Sequence, residues 1–393
     1  LIFDMIKFIG VMTVNKDRCY IKPVALPRRQ LWLTAMLFPL MMLHSSCRKE
    51  PDQPRPQEND TTVYSAGIYV LNEGLFNQNN AGLTFYNFSD STAETDYFFN
   101  KNGRGLGDTG SDACIYGSKL YMVVNISSQL EVADAVSGVS LGRIPLFDGS
   151  KPRQPRKIAP YGKYVFVCNF DNTVAVIDTA RLEVVRLIEA GRNPDGITAA
   201  YGKIWVSNSG GLAFPDYDNT VSVIDPETFS EVSRFTVGIN PYTIRPDGHG
   251  HLYLISRGNY GDVKSHLQVM DTLGNLVKTF GGFEALGFTV AGDTAYVYNY
   301  DWNSGKSTVL VVNTLSMQLV DEQFIKDGTD ILVAYGIACD PVTGLIYIAD
   351  ALNFTGTGRV YAFDKTGKLQ FSFNTGINPS YFAFLHRTGI PGN

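Results

Sequence analysis

Short apolar runs separated by turn residues recur along the chain from about residue 63 to residue 386. Tyr164-Val-Phe-Val-Cys-Asn169 is followed by a turn, then Thr173-Val-Ala-Val-Ile-Asp178, a second turn, Val184-Val-Arg-Leu-Ile188, and Gly191-Arg-Asn-Pro194. Runs of this length, bounded by Gly, Asn, Asp and Pro, are strand signals. The end of the first run recurs at Asn72, Asn125, Asn169, Asn208, Ser256, Asn299 and Asp350. The end of the second recurs at Asn87, Asp134, Asp178, Asp225, Asp271, Asn313 and Asp364, with gaps of 47, 44, 47, 46, 42 and 51. The two series keep step, seven members each. A repeat of this period built from short strands predicts an all-β, seven-bladed β-propeller. One twisted four-stranded sheet cannot bury both apolar faces alone, and radial stacking buries them and leaves only short edges. Val174, Val176, Val221, Val223, Val309 and Val311 alternate as such strands require.

The two ends of the repeat complement each other. Gly376-Ile-Asn-Pro379 opens an eighth unit, of which only Tyr381-Phe-Ala-Phe-Leu385 follows. The first unit lacks an innermost strand before Tyr69-Val-Leu-Asn72. The C-terminal strand is therefore expected to close blade one, with the propeller at 63–386 and a tail at 387–393.

In such a meander, loops from the outermost strand to the next blade and loops from the second strand to the third share one face. The longer segments fall there, and long loops on a rigid scaffold are where binding resides. They carry Glu73, Phe76 and Asn77, then Arg153, Arg192, Phe214 and Tyr217, then Tyr242, Arg257 and Tyr260, then Tyr300, Trp302, Phe354 and Arg359. Aromatic rings grouped with amides and arginines predict an apolar patch rimmed by polar groups, which marks an interaction site. The repeated Asn125, Asn169 and Asn208 read in two ways, as turn closers or as donors and acceptors at the channel mouth. The repeated Asp residues are turn formers. Asp216-Tyr-Asp-Asn219 has carboxylates for calcium without the spacing of an EF-hand.

The front of the chain differs in kind. Arg28 and Arg29 precede an apolar run from Leu31 to Leu43, too short for a comfortable membrane span and suited to a secretory signal. Ser45-Ser46-Cys47 closes it and resembles a bacterial lipobox, although His44 stands where Leu is usual. The resemblance implies that Cys47 is lipidated. Residues 1–46 are then an upstream extension and signal peptide, and residues 47–62 a flexible tether rich in Pro, Gln and Asp.

Composition narrows the class. With 44% hydrophobic and 18% charged residues the chain is not disordered. The first 46 residues hold six Lys/Arg against two Asp/Glu, so the remainder is more acidic than the overall −5, the wrong sign for nucleic acid. Cys114, Cys168 and Cys339 are widely spaced with no Cys/His cluster, so no zinc site is expected. A Cys114–Cys168 disulfide stays open. No Ser/His/Asp set or other catalytic constellation stands out, and no enzyme is expected.

The strand-Asn, Thr-Val-x-Val-Ile-Asp and Gly-x-Asn-Pro repeat resembles the YncE-like seven-bladed propellers. Gly105-Leu-Gly-Asp108, Ser111, Ile115-Tyr-Gly-Ser-Lys-Leu-Tyr121, Val123-Val-Asn125 and Leu130-Glu-Val132 resemble a segment of surface lipoprotein propellers of gut Bacteroidetes, a group that includes the BtuG-type cobalamin-binding proteins. The resemblance implies a lipid-anchored outer-membrane protein facing the cell exterior. It would bind cobalamin or another corrinoid as transported ligand, without a cofactor, and pass it to a TonB-dependent outer-membrane transporter. The alternatives are an adhesion or scaffold propeller binding glycan or protein and, third, a metal-dependent lactonase-like enzyme.

Overall fold

The computed structural model describes residues 13–15, 18–20, 62–301 and 303–389. The chain forms two compact units, Leu1–Asn59 and Asp60–Asn393. In the first, Thr13–Asn15 pairs antiparallel with Arg18–Tyr20. The signal-peptide reading, Cys47, the tether to residue 61 and Trp302 lie outside the described residues.

The second unit is a seven-bladed β-propeller of four-stranded antiparallel sheets. Blades two to seven span 110–145, 155–189, 194–236, 241–279, 287–321 and 334–377, each with its strands in chain order from the axis outward. Blade one is completed from the other end of the chain. Its innermost strand, Pro379–Gly389, pairs along its whole length with Thr62–Asn72. The closing strand thus runs past residue 386, and the expected tail is confined to residues 390–393, outside the described residues. Neighbouring innermost strands touch all the way round the ring.

Blade three shows why the apolar alternation dictates this packing. In Tyr164–Asn169, Val165 and Val167 enter the core shared with blade two, beside Tyr121, Val123, Leu130 and Val132. Phe166 and Cys168 point the other way, into the core shared with blade four, beside Ile197, Ile204 and Val206. A second strand lies between two neighbouring blades, so both of its faces are apolar and buried. Burying each such Val is worth about 1.5–3 kcal/mol. Outermost strands such as Ser140–Pro145 have one protected face and alternate in exposure.

The repeat signature has a local cause. The Asn of Gly-x-Asn-Pro is left-handed at Asn193, Asn240 and Asn378, with φ of 44°, 58° and 53°. Asn tolerates that region better than most residues. The proline then begins the innermost strand. The glycine leaves room for the Asn that ends the second strand of the same blade. A Cβ on Gly191 would lie 2.4 Å from the Asn208 side chain, and one on Gly376 2.7 Å from Asn72. Asp178 and Asp225 each accept two backbone N–H bonds in the turn that follows them, which fits their reading as turn formers. A six-residue helix, Tyr97–Asn102, follows the short outer strand of blade one and buries Tyr97 and Phe98. Cys114, Cys168 and Cys339 are free thiols, which closes the question of a Cys114–Cys168 bridge.

Candidate functional site

Each innermost strand starts at the same end of the axis, and most start with a β-bulge. The register skips one residue at Ser111, Arg156, Asp195, Tyr335 and Ser380, and two at Tyr242-Thr243. Blade six pairs without a shift. A bulge re-aims the side chain it carries. Here the bulged Ser111, Arg156, Tyr242 and Tyr335 line a cavity of about 320 Å³ at the mouth of the channel. Glu73, Arg257, Tyr298, Tyr300, Phe354 and Tyr381 complete most of its wall. The loops around it are clipped together: the backbone N–H after the second strand donates to the loop before the innermost strand, as in Phe170 to Gln154, Ser209 to Asn193, Arg257 to Asn240 and Glu73 to Asn378.

A polar network crosses this cavity. Asp195, 1% exposed, accepts from Arg156 Nε at 2.6 Å and from Arg257 Nη1 at 2.9 Å. The Arg257 guanidinium carbon lies 3.4 Å from the centre of the Tyr242 ring, and Lys157 Nζ lies 3.5 Å from that of Tyr381. Lys157 Nζ also donates to the Ser111 carbonyl at 2.6 Å. The hydroxyls of Tyr242 and Tyr381 meet at 3.2 Å. On the far side Tyr335 donates to Glu73 at 3.0 Å, and Tyr298 donates to the Tyr335 carbonyl at 3.3 Å. Every blade contributes at least one of these residues.

Burial opposes ionisation throughout, and the cations decide the outcome. Burial would raise the Asp195 carboxyl, but Arg156 and Arg257 outweigh it and hold the group below its ordinary range. Burial lifts Glu73 above its range, against the Tyr335 hydrogen bond and the pull of Arg156, Lys157 and Arg257. The buried Tyr242 phenol is drawn down by Lys157 and Arg257, while burial and then its Tyr242 neighbour push Tyr381 up.

Of the residues expected to bind, Glu73, Tyr242, Arg257, Tyr300 and Phe354 line the cavity. Phe76, Phe214 and Tyr260 stand out from the loops, 67%, 72% and 70% exposed. Tyr217 joins Phe214 to Tyr260 in a chain of edge-on rings with centroids 6.0 Å apart. A second depression of about 580 Å³ shares Arg257 and Leu286 with the first and adds Tyr260. Asn77 is exposed, and its backbone N–H is held by Asp108.

Other expectations need correction. Asn125, Asn169 and Asn208 are buried in the blades. Asn125 donates to the Pro155 carbonyl of the next blade, Asn169 to Thr173, and Asn208 to the Thr220 and Ser222 hydroxyls, so these amides are placed inside the blades and not on the cavity wall. Arg153 is committed to Asp171 and Asp148, Arg192 to Asp216 and Asp218, and Arg359 to Asn374. The same Arg192 contacts take up the carboxylates considered for calcium. Among the described residues no three His, Cys, Asp or Glu side chains converge to hold a metal.

Sequence reasoning missed Arg156, Lys157, Asp195, Tyr298, Tyr335 and Tyr381. A signal was present for part of this set: Arg156 and Asp195 each follow the proline that opens an innermost strand, as the expected Tyr242 does.

Comparison with known proteins places the fold and leaves the chemistry open. Residues 66–150 match a family described as a domain of unknown function, DUF5074. No curated protein matches. Among solved structures, hydrazine synthase of Kuenenia stuttgartiensis is 19% identical over 69% of this chain and 88% of its own, with a TM-score of 0.58. A quinonprotein alcohol dehydrogenase-like protein from Bacteroides thetaiotaomicron is 15% identical over 82% of this chain and 79% of its own, with a TM-score of 0.60. The propeller called U3-55K is 11% identical over 69% and 84%, with a TM-score of 0.52. At these identities the likeness is one of fold.

Proposed function

We propose that this chain is a non-catalytic capture protein of the cell surface that binds cobalamin or a related corrinoid across its loop face. In this reading it is lipid-anchored in the outer membrane through Cys47 and passes the vitamin to a TonB-dependent outer-membrane transporter, as its resemblance to the BtuG-type proteins implies. The observation that carries the reading is the set of outward rings, Phe76, Phe214, Tyr260 and Phe354, on the loops of one face around the cavity mouth. A soluble protein rarely leaves so many large rings on one surface without a partner. The cavity, at about 320 Å³, is at the small end of ligand sites, so a bulky ligand would lie over the mouth and send only one substituent inside. A corrin offers apolar faces to the rings and many amides to the loop polar groups.

The test is gel filtration with cyanocobalamin, followed by the ligand's own visible absorbance. One-to-one co-elution is expected, and replacing Phe214 and Tyr260 together with Ser should weaken binding by about tenfold or more. No co-elution at micromolar concentrations would remove the corrinoid reading. The same exposed rings suit a surface module that stacks on glycan, and glycan-array signal without corrinoid binding would favour it.

A further inference from the structure

We propose that the central cavity is itself a binding site for a small aromatic carboxylate, with the acid group among Arg156, Lys157 and Arg257 and the ring against the tyrosine wall. The inference is separable from the corrinoid reading, because it rests on the cations and tyrosines of the cavity and shares only Phe354 with the outward rings.

The argument starts from charge. Two cations, Arg156 and Arg257, line one side of the cavity, and a third, Lys157, sits behind the wall against the Tyr381 ring. Arg156 and Arg257 share a single carboxylate, Asp195. Lys157 is 6% exposed, and among the described residues no carboxylate pairs with it; its ammonium rests on a carbonyl and an aromatic face. The other carboxylate on the wall, Glu73, is held on the far side by Tyr335. Buried charge is ordinarily compensated by a partner. Against these three cations stand Asp195 and Glu73, while the buried Asp112 nearby is taken up by the Ala113 and Ile158 N–H groups, so the cluster is one negative charge short. A monoanion entering the cavity supplies it.

The shape then selects the class. Arginine forks meet a planar carboxylate with two parallel bonds. The wall is largely aromatic, with Tyr242, Tyr298, Tyr335, Tyr381 and Phe354, so the body of the ligand meets ring faces and edges. Glu73 and Tyr335 sit across from the cations, where they can hydrogen-bond a hydroxyl. A volume of about 320 Å³ suits a single-ring acid and not a nucleotide. An aromatic monocarboxylate with a polar group opposite its acid matches all three features.

The test is calorimetric titration of the purified chain with 4-hydroxybenzoate, its neutral analogue 4-hydroxybenzamide, and inorganic phosphate. We expect the acid to bind and the amide to bind about tenfold or more weakly, because the charge-assisted bonds are lost. Arg257→Gln and Lys157→Met should each lower affinity for the acid by about tenfold. Lys157→Met breaks no ion pair but gives up the bond to the Ser111 carbonyl and the contact with Tyr381, so a somewhat lower melting temperature is expected, and a parent-like far-ultraviolet spectrum at the titration temperature shows that lost binding is not lost folding. Equal binding of acid and amide, binding of phosphate as tight as that of the acid, unchanged affinity in Lys157→Met, or no heat at millimolar acid would each overturn the proposal. Failure of cyanocobalamin to bind would leave it standing.

Discussion

Replacing Asp195 with Asn removes one negative charge from beneath two guanidiniums and changes little else in shape. The carboxylate is 1% exposed, and the side chains of Arg156 and Arg257 are 18% and 22% exposed. Taking one partner from a buried ion pair costs about 3–5 kcal/mol, because the charge left behind is uncompensated. The guanidiniums keep some contact with solvent through the cavity, which screens part of that cost, so about 3 kcal/mol is the expected loss. For a propeller running from Thr62 to Gly389 that corresponds to roughly 4 °C in melting temperature. Scanning calorimetry of both proteins at one scan rate and neutral pH measures it. The pH dependence adds a second check. Asp195 is held below its ordinary range in the folded chain, so its contribution is complete above the unfolded value of about 3.9 and is lost as pH falls through the folded value. The gap between parent and Asp195→Asn should be steady near neutrality and close on acidification. A melting temperature within about 2 °C of the parent at neutral pH, or a gap that widens in acid, would refute the assignment of Asp195 as the anchor of the cavity's cations.

Two further expectations concern the scaffold. A Cβ at Gly196 would lie 2.0 Å from the Tyr242 carbonyl and 2.3 Å from Ser207 Oγ, so Gly196→Ala should cost about 1–3 kcal/mol, and an unchanged melting temperature would contradict the close approach of blades four and five. Asp340 in blade seven is fully buried and accepts from Ser65, His386, Thr343 and the Val342 N–H, which ties it to both closing strands of blade one. Burial opposes its ionisation, but these bonds prevail and hold it below the usual carboxylate range, so its stabilisation is present above the unfolded value and fades as pH falls through the folded one. Asp340→Asn should therefore cost about 1–3 kcal/mol and speed amide exchange in Tyr381–Leu385; equal protection in both proteins would show that ring closure does not depend on this carboxylate.

The fold was legible because its determinants are local and repeated. Seven copies of one strand-and-turn pattern, three opened by a left-handed Asn and each carrying a turn-forming Asp or Asn, specify seven sheets without reference to anything distant. The closure of blade one was legible for the same reason: one strand was left over after the seventh unit and one was missing from the first. The six-residue helix at Tyr97 was not, since its two buried rings fill a gap that exists only because the outer strand of blade one is short.

The site was legible in outline only. Loop length pointed to the correct face, and Glu73, Tyr242, Arg257, Tyr300 and Phe354 reached the cavity. The repeated amides did not, because a residue used identically in several blades is serving the blade. Arg153 and Arg192 were expected to bind and are held by carboxylates of neighbouring loops, and Arg359 by Asn374 across from it on the adjacent strand.

Taken alone, the order of residues determined the number of sheets, their strand order and the face that carries the elaborated loops, because period, alternation and turn chemistry act within some fifty residues. Only the tertiary structure decided which side chains meet on the axis. Asp195, Arg156 and Arg257 come from three different blades, and a bulge, not a motif, turns the first two inward. Their encounter depends on how far the ring closes and on where each strand slips by one residue, and that information is shared among all the blades at once.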